Sequence, residues 1–171
     1  YYGSGVRHQV WLNPPVTAAD RVIDMLLKKV HGKPFISELP IPAQDLVPIA
    51  EPVKDLSKAK IAIVTSGGIV PIDNPDRIQS ASATRWGKYD ITGLDDLEGG
   101  VFKTVHAGFD PAAADADPDV IVPLDVLRAY EKEGKIGSVH KYFYSTVGTG
   151  TTQGEAARMG REIVRDLIEY G

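Results

Sequence analysis

Residues 60–71, KIAIVTSGGIVP, do most to limit what this chain can fold into. Ile61, Ala62, Ile63, Val64 and Thr65 run without a charge into Ser66, Gly67 and Gly68. A short continuous apolar run that ends on glycine reads as a strand buried on both faces, the kind found inside parallel sheets. The polar, backbone-permissive corner after it is expected at the carboxyl end of a central strand, where open α/β sheets bind ligands. A tight strand–loop turn with no ligand gives the same local pattern, so both readings stand at this point.

A second corner has the same build. Residues 139–145 alternate Val139, Lys141 and Phe143 against His140, Tyr142 and Tyr144, which predicts a strand. The strand empties into Thr146, Val147, Gly148, Thr149, Gly150, Thr151 and Thr152. A helix follows, with Thr152 and Glu155 placed as a capping box. Its predicted apolar face is Ala156, Gly160, Ile163, Val164, Leu167 and Ile168, the two small residues allowing close approach to a sheet. Strand, glycine-rich turn and helix in that order predict an α/β layered domain with flanking helices, its sheet at least partly parallel. Residues 146–152 resemble an anion cradle of glycines, hydroxyls and a helix N-terminus. They are neither a P-loop, for want of a lysine, nor a dinucleotide fingerprint, for want of the third glycine. An ordinary strand–helix turn is the competing reading.

The rest of the chain divides around these corners. Residues 1–15 read as an irregular start, broken by Gly3, Gly5, Pro14 and Pro15 and anchored by Trp11. Thr17 caps a helix whose apolar face is Val22, Ile23, Leu26, Leu27 and Val30. His31 falls in its last turn and Gly32 stops it. Prolines 34, 40, 42, 48 and 52 keep residues 33–57 extended, and their apolar content predicts an arm packed on something rather than a free linker. A boundary near residues 56–60 separates a helix and proline-rich arm, 1–57, from an α/β domain, 58–171, expected to continue beyond residue 171. Residues 71–100 lack sustained periodicity, and a loop of that length inside a domain is usually functional. Trp86 and Tyr89 argue that it is ordered. Val101 to Val105 form a short strand candidate that delivers His106, Gly108 and Asp110. Residues 112–119 read as an acidic loop, and 124–133 as a helix ended by Gly134.

Composition removes several functions. Lys and Arg number 19 against 23 Asp and Glu, a net charge of −4, with no basic cluster to hold nucleic acid. No apolar run approaches the ~18 residues of a membrane helix, and no signal-peptide pattern opens the chain, so a cytoplasmic location is expected. Cysteine is absent, which removes disulfides, thiolate metal sites and cysteine nucleophiles. Redox chemistry would need a cofactor, another chain or a further part of this one. The ends read as those of a fragment or processed subunit. His106 and Asp110 are either an acid/base or metal-ligand pair or a histidine bonded within its own loop. Asp115, Asp117 and Asp119 alternate like calcium ligands, yet the glycine and final glutamate of that loop are missing, so a solvated turn is expected. His8 and His140 have no partner at ligand spacing, and no serine-nucleophile motif occurs.

Three blocks carry a resemblance: VRHQVWLNPPVTAADRVIDMLLKKVHGKPF, KIAIVTSGGIVPIDNPDRIQSASATRWGKYDI and HAGFDPAAADADPDVIVPLDVLRAYEKEGKIGSVHKYFYSTVGTGTT. Together they resemble the selenoprotein B subunit of the glycine, sarcosine and betaine reductases of amino-acid-fermenting anaerobes. The third block is also similar to D-proline reductase subunits and so marks a superfamily. The resemblance implies reductive C–N cleavage, with component B selecting the substrate and a pyruvoyl group on a partner subunit capturing amines. A selenocysteine, or a cysteine in its place, would take the carboxymethyl group and pass it to selenoprotein A. Acetyl phosphate would leave through component C, with thioredoxin as reductant.

In the family the selenocysteine lies downstream of residue 171, so no catalytic residue is carried over to this chain, and the fragment alone is expected to be inactive. No cofactor is expected within it. Candidate substrate-binding residues are Ser66, Gly67, Gly68, His106, Asp110, Thr146, Gly148, Thr149 and Gly150. The expected ligand is a small amino-acid-like carboxylate rather than a nucleotide. A scaffold that docks the pyruvoyl subunit through residues 33–57, or a plain small-molecule-binding domain, is the alternative.

Overall fold

A computed structural model describes residues 16–35 and 47–170. Contacts divide the chain into two units, Tyr1–Glu51 and Pro52–Gly171. In the first, α1 (Ala18–Val30) begins where predicted: Thr17 Oγ1 accepts the Asp20 N–H at 3.1 Å. Gly32, at φ +64°, follows the helix, and the His31 ring lies 2.7 Å from the Leu27 carbonyl. The apolar face of α1 is exposed along its whole length. The expectations for residues 1–15, with His8 and Trp11, and for the arm over 36–46 lie outside the described residues.

The second unit contains, in order, β1 (Lys60–Thr65), β2 (Ile69–Pro71), β3 (Gly87–Asp90), β4 (Phe102–Thr104), α2 (Ala112–Ala116), α3 (Leu124–Lys132), β5 (Ser138–Ser145) and α4 (Gln153–Tyr170). Short 3-10 turns occupy Leu56–Lys58 and Pro118–Val120. The main sheet runs β1-β5-β3, with β1 parallel and β3 antiparallel to β5; β2 and β4 form an antiparallel pair. This is the mixed α/β architecture the strand–turn–helix order implies.

Strand β5 holds the centre because both its faces carry bulky side chains. On one face Val139 and Phe143 join Ile69, Tyr89, Phe102, Val122 and Leu124 in the core, with Ile61 and Ile63 packed against them. On the other, Tyr144 lies under α4 and its hydroxyl donates to Asp166 at 2.7 Å. Lys88 reaches the same carboxylate at 2.8 Å, and Trp86 Nε1 donates to Glu162 at 2.9 Å, so α4 is tied to β3 by polar contacts. Burial alone would push the Asp166 carboxyl up, but the bonds from Lys88 and Tyr144 outweigh it and hold it below its ordinary range.

Four expectations need correction. Within the described residues the apolar run 61–65 is not the central strand, and it is not buried on both faces. Among the described residues β1 pairs only with β5, and Val64 is 53% exposed. Apolar composition is shared by central strands and by edge strands of parallel pairs, so it could not separate them. Residues 71–100 are not structureless, since β3 lies inside them; its sequence GKYD takes strand form from pairing with β5 rather than from its own pattern. Residues 112–119 are not a loop but α2 and a 3-10 turn, in which Asp115, Asp117 and Asp119 each accept a backbone N–H. Asp119, far from solvated, is buried and takes the amides of Leu97 and Asp125. Finally, α4 buries Met159 and Ile163, whereas Ala156, Gly160, Val164 and Ile168 stay exposed. The close approach expected at Gly160 is not made: a Cβ there would meet nothing within 4 Å.

Candidate functional site

The two glycine corners meet. Gly68 N–H donates to the Thr146 carbonyl at 2.9 Å, Gly148 N–H donates to the Ser66 carbonyl at 3.0 Å, and Gly67 bridges Val147. This follows from the parallel register, which brings the carboxyl ends of β1 and β5 side by side at Thr65 and Ser145. Gly68 sits at φ +71°, and a Cβ on it would lie 2.9 Å from Val147 Cγ2 and 3.1 Å from the His106 backbone nitrogen. Only glycine meets both demands.

The loop after β4 closes onto the same point. Val105 N–H donates to the Gly68 carbonyl at 2.9 Å. Thr104 Oγ1, on a residue 7% exposed, donates to the Gly67 carbonyl at 2.9 Å and accepts the His106 N–H at 3.1 Å. One hydroxyl thus links the first corner to the histidine. The His106 ring stacks on Phe109, with centroids 4.7 Å apart. Its Nδ1 accepts the Gly108 N–H at 3.0 Å, which leaves the ring proton of the neutral imidazole on Nε2. Nε2 lies 3.0 Å from Thr149 Oγ1 and donates to it, leaving the Thr149 hydroxyl proton for a further acceptor.

A fourth wall comes from the serine-rich stretch. Ser82 N–H donates to the Thr149 carbonyl at 2.7 Å, Ala83 N–H to Thr151 Oγ1 at 2.9 Å, and Ala107 N–H to the Ser80 carbonyl at 2.9 Å. Thr146 Oγ1 is turned away and donates to the Arg85 carbonyl at 2.8 Å. The structure therefore draws together Ser66, Gly67, Gly68, His106, Gly148 and Thr149, with Thr146 contributing through its backbone. Gly150, at φ +68°, lets the chain turn from this cluster into α4. Asp110 has a different local job: its Oδ1 accepts the Ala112 N–H at 3.0 Å ahead of α2, while both His106 nitrogens bond elsewhere. Thr151 falls within the 146–152 cradle, whereas Thr104, Ser80 and Ser82 were not singled out by motif or spacing. Their only signal is a hydroxyl residue set beside each glycine corner, too common to be read alone.

Chemically, the cluster is a relay of donors. Gly108 N–H bonds His106, His106 Nε2–H bonds Thr149, and Thr149 O–H points on. Such chains polarise one another, so the terminal hydroxyl becomes a stronger donor. Ser66, exposed beside Gly148, adds a second hydroxyl: a Cβ on Gly148 would come within 3.2 Å of Ser66 Oγ. Neutral donors suit an acceptor-only ligand such as a carboxylate, the nearby Asp110 and Asp115 being bonded to the Ala112 and Thr104 amides. Among the described residues no group of three or more His, Asp or Glu side chains is arranged to hold a metal.

Comparison with known proteins gives these contacts a family. A model described as glycine/sarcosine/betaine reductase selenoprotein B matches residues 1–171. The betaine reductase complex component B subunit beta of Peptoclostridium acidaminophilum is 71% identical over 171 residues, all of this chain and 39% of that protein. The glycine reductase complex component B subunit gamma of Carboxydothermus hydrogenoformans is 50% identical over the same span, again 39% of its length. The sarcosine reductase complex component B subunit beta of Peptoclostridium acidaminophilum is 53% identical over 153 residues, 90% of this chain and 35% of that protein. The chain thus spans about two fifths of the length of these curated relatives. No solved structure matches it. With a family model matched from the first residue to the last and relatives this similar, the chain belongs to the glycine/sarcosine/betaine reductase selenoprotein B family.

Proposed function

We propose that this chain forms the substrate-activating part of a component B subunit in an amino-acid reductase complex, and that the junction of its two corners holds the substrate's carboxylate. Glycine, sarcosine and betaine share that carboxylate and differ at nitrogen, so a carboxylate site suits relatives named for all three. The donor relay from Gly108 through His106 to Thr149 carries this reading. It offers protons to an acceptor and no charge of its own. Thr104 fixes the imidazole against the first corner, and Ser66 and the glycine backbone bound the other side.

The corner residues do not fit a redox centre: they are hydroxyls, an imidazole and amides, and the chain has no cysteine. In the complex, a selenocysteine or cysteine outside these residues would supply the nucleophilic and redox chemistry, and a pyruvoyl group on a partner subunit the capture of amines. This chain's residues bind and orient. Selenoprotein A as acceptor of the carboxymethyl group, acetyl phosphate as product and a cytoplasmic location belong to the same reading, supported by the family alone.

The test is His106→Ala in the full-length complex, followed by substrate-dependent ammonia or methylamine release. The variant removes the bond that positions and polarises Thr149 Oγ1, worth about 0.5–1.5 kcal/mol, so KM should rise roughly 2- to 10-fold while kcat changes less. Unchanged kinetics would remove His106 from the site.

A second reading makes the chain a docking scaffold that reaches the pyruvoyl subunit through residues 33–57. The described part of that arm favours it, since Val47, Ile49 and Val53 are 84%, 99% and 62% exposed. Deleting residues 33–57 should then abolish subunit association without changing substrate affinity. Intact association would sink it.

A further inference from the structure

Among the described residues, the side of the second unit away from β3 is apolar and open. Strand β1 pairs only with β5 among the described residues, and beyond Lys60 at its start it carries no charge and no proline, the usual devices that protect a sheet edge. The carbonyls of Ala59 and Thr65 both accept from the β5 side, from Ser138 N–H and Thr146 N–H. Backbone groups alternate in direction along a strand, so those of Ala62 and Val64 face the open edge. The Val64 side chain shares a face with its partner Tyr144, the face that α4 covers. On α4, Glu162 and Asp166 bond β3, whereas Ala156, Gly160, Val164 and Ile168 form an exposed stripe one helical turn apart; Val164 is 52% and Ile168 76% exposed. His140 belongs to the same neighbourhood, stacked on Tyr144 with centroids 6.1 Å apart. It is 3% exposed, its Nδ1 accepts the Tyr142 N–H, and its buried Nε2 has no partner among the described residues.

We infer that β1 is an interior strand of a longer mixed sheet. Its free edge takes a parallel strand from the same polypeptide, and the helix connecting that strand lies on the Ala156–Gly160–Val164–Ile168 stripe. Three features select this occupant. Parallel strands need both faces covered, and a right-handed crossover puts its helix against the sheet beside the new strand, which here is beside α4. Gly160 gives a helix room to approach the stripe closely. The family supplies the chain: the curated relatives at full coverage of this sequence have more than half of their own length outside the matched part. This inference stands apart from the carboxylate reading, because none of its residues lies in the corner junction.

The experiment uses the full-length subunit at a concentration where it is monomeric. Residue-resolved hydrogen exchange should show the Ala62 and Val64 amides protected by at least ~100-fold over the unprotected rate. A photo-crosslinking amino acid placed at position 164 or 168, both already exposed, should link to peptides of the same chain outside residues 1–171. Free exchange at Ala62 and Val64 would overturn the inference. So would protection that appears only on self-association, or crosslinks that join a second copy or another subunit. Exchange in the unsubstituted protein keeps the test valid should either crosslinking variant fold poorly.

Discussion

The two glycine corners look alike in sequence and are held by different means. The first, Ser66 to Gly68, leaves the outer strand of the described sheet and is fixed through its own backbone groups: the Gly68 amide and carbonyl bond other backbone, the Gly67 carbonyl takes the Thr104 hydroxyl, and Ile69 and Val70 after it are wholly buried. The second, Thr146 to Gly150, leaves the central strand and is fixed by side-chain hydroxyls, with Thr146, Thr149 and Thr151 each bonded through Oγ1. Gly148 in its middle is exposed. On the proposed reading the first corner is a floor, and the second is the wall whose Thr149 hydroxyl meets the ligand. Substitutions should separate them: at the first corner they should act on folding, at the second on binding.

Gly68→Ala should have the largest effect. A left-handed backbone and a crowded Cβ together should cost about 2–4 kcal/mol, visible as a fall in the denaturation midpoint. Thr104→Val should come next. It leaves the half-buried Gly67 carbonyl and His106 amide without their shared hydroxyl, at about 1–3 kcal/mol, and Thr104→Ser should restore most of the loss. Because Thr104 also sets the imidazole, KM should rise in the valine variant and recover with serine. Equal losses in both variants would mean that the methyl group, not the hydroxyl, matters.

Acid should distinguish the corners as well. Asp166 anchors α4 behind the second corner, and its carboxyl is held below its ordinary value of 3.8. A lowered carboxyl contributes stability that is complete above about pH 5 and is lost as pH falls below 3.8 through the folded-state value. Asp166→Asn should cost about 1–2 kcal/mol near neutrality, and the gap to wild type should close as the pH drops past that point. In wild type, hydrogen exchange over 146–152 should accelerate on acidification before exchange over 66–68 does. The smallest effect belongs to Gly148→Ala. The new methyl meets the Ser66 side chain at 3.2 Å and the Ser66 carbonyl at 3.8 Å on an exposed residue, so stability should change by less than about 1 kcal/mol.

How much of this was legible depended on whether the information was local. Helix α1 with its Thr17 cap, the Thr152 cap of α4 (Glu155 N–H to Oγ1, 3.3 Å), β4 and β5 follow from periodicity and capping chemistry. Strand β3 was not legible, because Gly87, Lys88 and Asp90 have no strand preference and owe their form to β5 and to Asp166 across the sheet. The ranking of β1 and β5 was misjudged because an unbroken apolar run does not reveal how many neighbours a strand has. At the site, glycines and His106 stood out by type. Thr104 did not, since its role arises only once β4 lies beside the first corner. The doubt over whether His106 pairs with Asp110 or bonds within its loop ends with Gly108 N–H on Nδ1 and Thr149 on Nε2.

On the proposed reading the second corner, through Thr149, donates a hydrogen bond to the substrate carboxylate. Its most direct test is Thr149→Val in the full-length complex, assayed with glycine, sarcosine and betaine in turn. Loss of that donor should raise KM for the complex's own substrate about 10-fold or more, leave kcat within about twofold, and be largely reversed in Thr149→Ser. An unchanged KM in the valine variant, or a fall in kcat at constant KM, would contradict the claim.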